Sequence, residues 1–268
     1  MLDSRAMPWD ALVAELSAEL GEPITLDALT GTWRIAQRAA GHRHSVDDVL
    51  TADYALRALG ALGPTPAAAS VLDLGSGIGG VGLLALWGLG PAARLVCVEA
   101  QAISHRLLVA NIAGNRLADR VTPRLGDLRE LALAERFPLI TGSPPYFPLG
   151  TGVLPADAQK AHARFELRGD VGDYAHAAAR HLEADGVFVC CFPTPQRDRA
   201  IARIGDAGLH VTSCRDVVPR VGLRPLFTLF ACQRAPGTCR VEPAFEVRTR
   251  EGVVTDEMHA VRRRFGFT

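Results

Sequence analysis

The sequence predicts a doubly wound α/β fold: a seven-stranded, mainly parallel sheet with one antiparallel strand, preceded by a small N-terminal extension. Three observations predict it. From Ser70 onwards, short apolar runs alternate with amphipathic or Ala-rich stretches of helical length, the pattern of successive βα units. The first of these runs opens into a glycine-rich loop, Gly75-Ser76-Gly77-Ile78-Gly79-Gly80. The last two runs, residues 209–217 and 226–233, follow each other without a helix between them, so they read as antiparallel neighbours.

Each element follows from its own pattern. Residues 9–20 set Leu12, Val13, Leu16 and Leu20 on one face of a helix, ended by Gly21-Glu22-Pro23. Residues 24–35 read as two short strands around Thr30-Gly31-Thr32. Ser45 with Asp48 three residues on forms a helix start of the capping-box kind, with Asp for the usual Glu; the helix runs over 46–62. Gly63-Pro64-Thr65-Pro66 is a linker, and the expected domains are residues 1–66, an extension, and 67–268, a core. In the core, strands are expected over 71–74, 94–99, 121–125, 139–141, 186–192, 209–217 and 226–233. Helices are expected over 79–89, 102–115, 171–182 and 196–207.

Composition narrows the class. Hydrophobic residues make up 48% of 268, enough for a substantial core. Lys+Arg and Asp+Glu both number 29, so no whole-chain attraction to nucleic acid exists, though basic residues can cluster locally. All the basic residues but Lys160 are arginine. Arginine suits phosphate forks, but an Ala- and Arg-rich chain equally reflects base composition. The six cysteines form no C-x-x-C pair and lie mostly in apolar runs, which points to reduced, buried thiols in a cytoplasmic protein rather than a zinc site or disulfide framework. No metal constellation and no signal peptide are read, and the most apolar stretch, 81–89, is too short to span a bilayer.

The chemistry lies in two loops. Gly75, Gly77 and Gly79 let a ligand approach the backbone closely. Gly75, Gly77 and Gly80 also satisfy the dinucleotide spacing G-x-G-x-x-G, so spacing alone leaves a nicotinamide cofactor open. Asp73, at the end of the first core strand, favours S-adenosylmethionine: it would repel a pyrophosphate and attract the cationic methionine amino group. Glu99 ends the second core strand, where ribose hydroxyls bind, and Asp127 follows the third, where it can accept from the adenine amino group. Each of these two acids, taken alone, is as well read as a solvated helix start. The second loop is Ser143-Pro144-Pro145-Tyr146-Phe147 after the fourth strand. The Pro-Pro step is rigid and leaves carbonyls free. Ser143 Oγ and the Pro144 carbonyl can take both N–H bonds of a planar amino group while Tyr146 stacks on its face. The bland alternative is a surface turn or a proline-rich ligand segment.

In this order the residues resemble the amino-group class I methyltransferases, and the wider chain resembles the bacterial tRNA (valine) adenine-N6 methyltransferase family. Arg34-Ile35-Ala36-Gln37 with 41–50 resembles that family's "R-I-x-Q … G-F-R-F-S-x-D-x-x-L" segment, Ala163-Arg164-Phe165-Glu166 its "A-R-H-E" step, and Asp256-Glu257 its closing "Y-T-x-E". The resemblance implies S-adenosylmethionine at Asp73, Gly75, Gly77, Glu99 and Asp127. It implies the target base at Ser143, Pro144, Pro145 and Tyr146. Phe147, Arg164 and Glu166 are further substrate-binding candidates beside that loop, and Arg164 and Glu166 equally suit an ion pair. Two departures stand out: Ser143 where the family has Asn, and Phe165 where it has His. Ser-Pro-Pro-Tyr is also the form of DNA cytosine-N4 methyltransferases, and Asn-Pro-Pro-Tyr is shared with methyltransferases of a release-factor glutamine amide. The expected partner is therefore RNA, tRNA first, with DNA, a protein amide or a small-molecule nitrogen as alternatives. A catalytically inert cofactor-binding subunit is the non-enzyme alternative. Arg34, Arg38, Arg43, His42 and His44 suit phosphate contacts or a solvated hairpin alike. Arg262-Arg263-Arg264 reads better as a helix end.

Overall fold

The computed structural model describes residues 8–64 and 68–268. The expected join at 66/67, with Thr65 and Pro66 of the linker, lies outside the described residues. Helix α1 (Trp9–Leu20) and a hairpin of β1 (Ile24–Ala28) and β2 (Arg34–Arg38) lead into α2 (Val46–Ala61). Both halves of the capping box of α2 form between Ser45 and Asp48.

Then come β3 (Ser70–Leu74), α3 (Gly80–Leu89), β4 (Arg94–Glu99), α4 (Ala102–Gly114), β5 (Val121–Leu125) and β6 (Phe137–Gly142). A short α5 (Ala158–Arg164) precedes α6 (Val171–His181), β7 (Leu182–Pro193) and α7 (Arg197–Asp206). The chain closes with β8 (His210–Val218), β9 (Phe227–Gln233), β10 (Arg240–Glu246) and α8 (Asp256–Arg264).

The sheet has the order β10-β8-β9-β7-β6-β3-β4-β5. β9 runs antiparallel to both β7 and β8, and the other neighbours are parallel. The strand count corrects the expectation: among the described residues the sheet has eight strands, not seven. β10 adds parallel to β8 at the sheet edge, with a register shift between Glu242 and Phe245. Its sequence, Arg-Val-Glu-Pro-Ala-Phe-Glu, has only two large apolar residues, Val241 and Phe245, and a proline at its centre that breaks the set of N–H donors. Pro243 is tolerated because an edge strand need not pair on both sides.

Strand alternation divides the core between the two faces. Val71 of β3 and Val187, Val189 and Cys191 of β7 pack with α1–α4 and α8. Leu72, Leu74, Phe188, Cys190 and Phe192 pack with α6 and α7. From β3 the chain moves one way through β4 and β5, then returns to β6 on the other side. The reversal between β3 and β6 is a topological switch point, where open α/β sheets bind ligands beyond the strand ends. No helix among the described residues is long and apolar enough to cross a membrane.

Candidate active site

A cleft opens at that switch point. It is lined by Asp73, Gly75 and Gly77 after β3, Glu99 after β4, Asp127 after β5, and Ser143 and Pro145 after β6. Seven of the sequence-predicted residues thus converge from four strand ends.

The glycine loop is held by its neighbours. Ser76 Oγ donates to the Asp73 carbonyl (2.8 Å) and accepts from the Val98 N–H (3.1 Å). Gly75 and Gly77 have φ of 61° and 55°, a conformation that favours glycine. A Cβ at Gly75 would strike the phenol of Tyr174, so this turn closes against α6 only without a side chain.

The three acids sit in different environments. Asp73 is buried; Thr141 Oγ1 donates to its Oδ1 at 2.7 Å, while Oδ2 has no hydrogen-bond partner among the described residues. Burial pushes its carboxyl up to about 7. Glu99 is also buried, which raises its pKa, but it accepts from the N–H groups of Gly77 (2.8 Å) and Gln101 (2.7 Å). Each oxygen keeps a lone pair for the cleft. Asp127 is held low first by its bond with Arg129, whose guanidinium lies at 2.6 Å.

The Pro-Pro loop crosses the end of the cleft. Ser143 Oγ lies 3.5 Å from Cys191 Sγ. Pro144 is buried, Tyr146 half-buried and Phe147 exposed, and these three border the cleft without being among its lining residues. The Tyr146 hydroxyl donates to Asp47 Oδ2 at 3.2 Å and lies 3.2 Å from Cys191 Sγ. Its ring meets Phe192 edge-on at 6.0 Å, and its carbonyl accepts from Gln196 at 2.7 Å. The N–H groups of Tyr146 and Phe147 both donate to the Arg164 carbonyl. Exposed Phe147 packs on Phe165 at 5.5 Å. Arg164 thus meets the loop through its backbone, while its side chain is exposed. Glu166 pairs with Arg199 at 2.7 Å.

Sequence reasoning missed several neighbours. Asp47 and Asp48, on the first turn of α2, face the Pro-Pro loop and the cleft respectively. Burial, and then the charge of Asp48, raises the Asp47 pKa. The capping box signalled Asp48 as a helix start but not as a cleft wall. Gln159 clips α5 over the cleft: it donates to Ser104 Oγ (3.1 Å) and accepts from Arg38 (3.1 Å) and the His42 N–H (3.2 Å). Tyr174 and Arg168 also line it. No local pattern marks these residues. Arg38, read as a phosphate contact or hairpin charge, is buried and binds Glu22 and Asp157; Arg43 pairs with Asp27 at 2.9 Å.

These residues fit S-adenosylmethionine. A buried carboxyl with an unpartnered oxygen backs the glycine loop, an acid ends the next strand, and no cationic side chain pairs with Asp73 among the described residues.

No family model matches the chain. The chain is 28% identical over 183 residues to the tRNA1(Val) (adenine(37)-N6)-methyltransferase of Cronobacter sakazakii, covering 68% of this chain and 74% of that protein. It is 25% identical over 208 residues to the enzyme of that name from Phocaeicola vulgatus, covering 77% and 86%. Among solved structures, a predicted O-methyltransferase from Agrobacterium tumefaciens superposes with a TM-score of 0.59 at 16% identity, over 83% of this chain and 98% of that one. An S-adenosylmethionine-dependent methyltransferase from Clostridium acetobutylicum superposes at 0.50 and 12% identity, over 70% and 92%. The structural likenesses carry the fold; the sequence relatives and the ordered strand-end residues carry the chemistry. The chain is an S-adenosylmethionine-dependent N-methyltransferase of the class I fold, similar to the bacterial tRNA1(Val) adenine-N6 methyltransferases.

Proposed function

We propose that the chain methylates the exocyclic N6 of an adenine in RNA, with tRNA as the substrate. The observation that carries this reading is the meeting of Ser143 and Pro145 with Asp73, Glu99 and Asp127 in one cleft. The sequence relatives named for tRNA adenine-N6 methylation support the acceptor.

S-adenosylmethionine supplies a methyl group carried on a sulfonium. The protein's part is binding and alignment. Asp73, once ionised, would attract the methionine ammonium, and the side-chain-free backbone at Gly75 and Gly77 would let the ligand approach closely. Glu99 accepts from the ribose hydroxyls and Asp127 from the adenine amino group. At the acceptor, Ser143 Oγ and the Pro144 carbonyl take the two N–H bonds of the target amino group. That draws the nitrogen towards a tetrahedral shape and turns its lone pair to the methyl. Tyr146 stacks on the base, with Pro145 and Phe147 shaping the entrance and Arg164 reaching RNA from the same side. Glu166 holds the following segment through Arg199. The nitrogen sheds its proton readily once it becomes cationic, so no strong base is required and catalysis rests on positioning, with modest electrostatic help.

Residues 67–268 are read as the catalytic unit and 1–66 as an extension that walls the cleft. Free, mostly buried thiols suit a cytoplasmic enzyme. Ser143 in place of Asn favours one other reading, a cytosine-N4 or protein-amide acceptor, because the shorter side chain holds the target nitrogen differently.

The test is methyl transfer from labelled S-adenosylmethionine into separate pools of tRNA, rRNA, DNA, protein and small metabolites. Label in tRNA that disappears with Tyr146→Ala, at unchanged cofactor affinity within a few-fold, is expected. Label in another pool alone overturns the acceptor.

A further inference from the structure

A second cavity, of about 440 Å³, opens on the same edge of the sheet and has no part in the chemistry above. That volume falls within the range of ligand pockets, roughly 300–1,000 Å³. Its floor is Val217 and Pro219 at the end of β8 with Leu226 and Phe227 at the start of β9. Val46 and Val49 of α2 form one wall, and Val254 and Met258 at the start of α8 form another. Among the described residues no carboxylate lines it. The charged side chains at its mouth are two exposed arginines. Arg248 donates to the Gly252 carbonyl at 2.8 Å, and the Arg262 guanidinium lies 5.8 Å from the centre of the Phe267 ring.

Its position relates it to the first cleft. His44, just before α2, lines both cavities, and on the first turn of α2 Asp48 lines the first while Val46 and Val49 line the second, so this start of the helix is a shared wall. In the sheet, β9 is two strands from β6 and β8 is three. At about 4.8 Å per strand, the cavity lies roughly 10–14 Å along the edge from the Pro-Pro loop. The apolar lining, the two arginines and the spacing together suit an apolar group attached to a phosphate, a short step from the target base.

We propose that this cavity receives an unstacked nucleobase of the substrate RNA, one or two nucleotides from the methylated adenine, with Arg248 and Arg262 on the adjoining phosphate. The proposal rests on the reading of the substrate as RNA. Single-stranded RNA is recognised by bases splayed out onto apolar, aromatic and guanidinium surfaces, and each stacked base is worth about 1–3 kcal/mol, roughly five- to 150-fold in affinity. An acceptor site for the target base alone would leave this slot without a purpose. A neighbouring base held here fixes the strand on the far side of Tyr146.

The experiment uses the full chain and unmodified tRNA. Once the methylated adenine is mapped, abasic residues are placed in turn at the one and two positions on either side of it. Val254→Trp is made to fill the cavity. The expected result is about a ten-fold fall in kcat/KM for one abasic RNA with the wild type, and a similar fall for Val254→Trp on intact tRNA. The two losses are expected not to add when combined, because both remove one interaction. S-adenosylmethionine affinity is expected to hold within two-fold. Unchanged kcat/KM for every abasic RNA, or losses that add in full, overturns the proposal and leaves the RNA reading intact. Absence of methylation of any RNA by the wild type overturns both. If Val254→Trp also loses cofactor binding, the abasic series with the wild type decides alone. Val254→Trp blocking label transfer to protein instead would assign the slot to a peptide and overturn the nucleobase.

Discussion

Asp73 combines full burial, one bonded oxygen and one without a partner. Its carboxyl, raised by burial from 3.8 to about 7, stays protonated in the empty protein where an unfolded chain would have ionised. The folded state therefore holds the extra proton between those values. The stability contributed by this proton is fully present below about 3.8 and is lost as pH rises through about 7. Wild-type stability relative to Asp73→Asn is expected to decline from pH 5 to pH 8 in ligand-free urea unfolding; a flat difference would contradict the buried, partnerless carboxyl. Cofactor affinity has the opposite slope: a cationic ligand selects the ionised form, so binding should weaken as pH falls below about 7 in the wild type and less so in Asp73→Asn. Tyr146 offers a second test at this scale. Removal of its hydroxyl frees the ring from Asp47 and Cys191 but keeps the stacking face. Tyr146→Phe is expected to lower kcat by about ten-fold, equivalent to one hydrogen bond of roughly 1.4 kcal/mol, with cofactor affinity unchanged; an unaltered kcat would show that the tether does not position the ring. The cleft acids were legible because each stands at a strand end. Asp47, Gln159 and Tyr174 were not, since they reach the site through tertiary packing of α2, α5 and α6.

At the scale of elements, the N-terminal hairpin reaches the cofactor loop through one buried side chain. Asn111 of α4 accepts from the Ala36 N–H at 2.7 Å and donates to the carbonyls of Ala36 (3.2 Å) and Ile78 (3.0 Å). It is fully buried, so truncation would strand backbone groups of β2 and of the glycine loop without water. Asn111→Ala is expected to destabilise by about 3 kcal/mol, at 1–3 kcal/mol per stranded group, read from the urea midpoint. A loss under about 1 kcal/mol would contradict the coupling. Helices α1 to α4 and the central strands were legible because apolar runs of strand length alternate along the chain with stretches of helical length, bounded by glycines, prolines and a capping box. β10 was not. Its pairing is held from outside, by Arg215, which donates to the Pro243 carbonyl at 2.8 Å, stacks on Phe245 at 5.0 Å and pairs with Glu257 of α8 at 2.8 Å. A period-based reading sees only the proline.

At the scale of the molecule, one apolar cluster joins the two segments that the Pro-rich linker separates in sequence. Leu50, Tyr54 and Leu59 of α2 pack with Leu83 and Leu84 of α3 and with Val189 and Cys191 of β7. Residues 9–61 and the sheet are therefore expected to unfold in one transition, with near-UV and far-UV circular dichroism coincident in urea; two separated transitions would show an independent extension. The same packing sets α2 between the cleft and the second cavity, so the wall of the site comes from outside the sheet that binds the cofactor. A formal net charge of zero leaves any attraction to nucleic acid to local arginines, and reading local charge needs the fold. If Ser143, Pro144 and Tyr146 present an adenine amino group to a methyl donor held by Asp73, Glu99 and Asp127, nucleoside analysis by mass spectrometry of unmodified tRNA, after incubation with the protein and S-adenosylmethionine, will show it. N6-methyladenosine formed by the wild type and absent with Tyr146→Ala is the predicted result. A methyl group recovered on any other nucleoside, or on none while the cofactor binds, would contradict it.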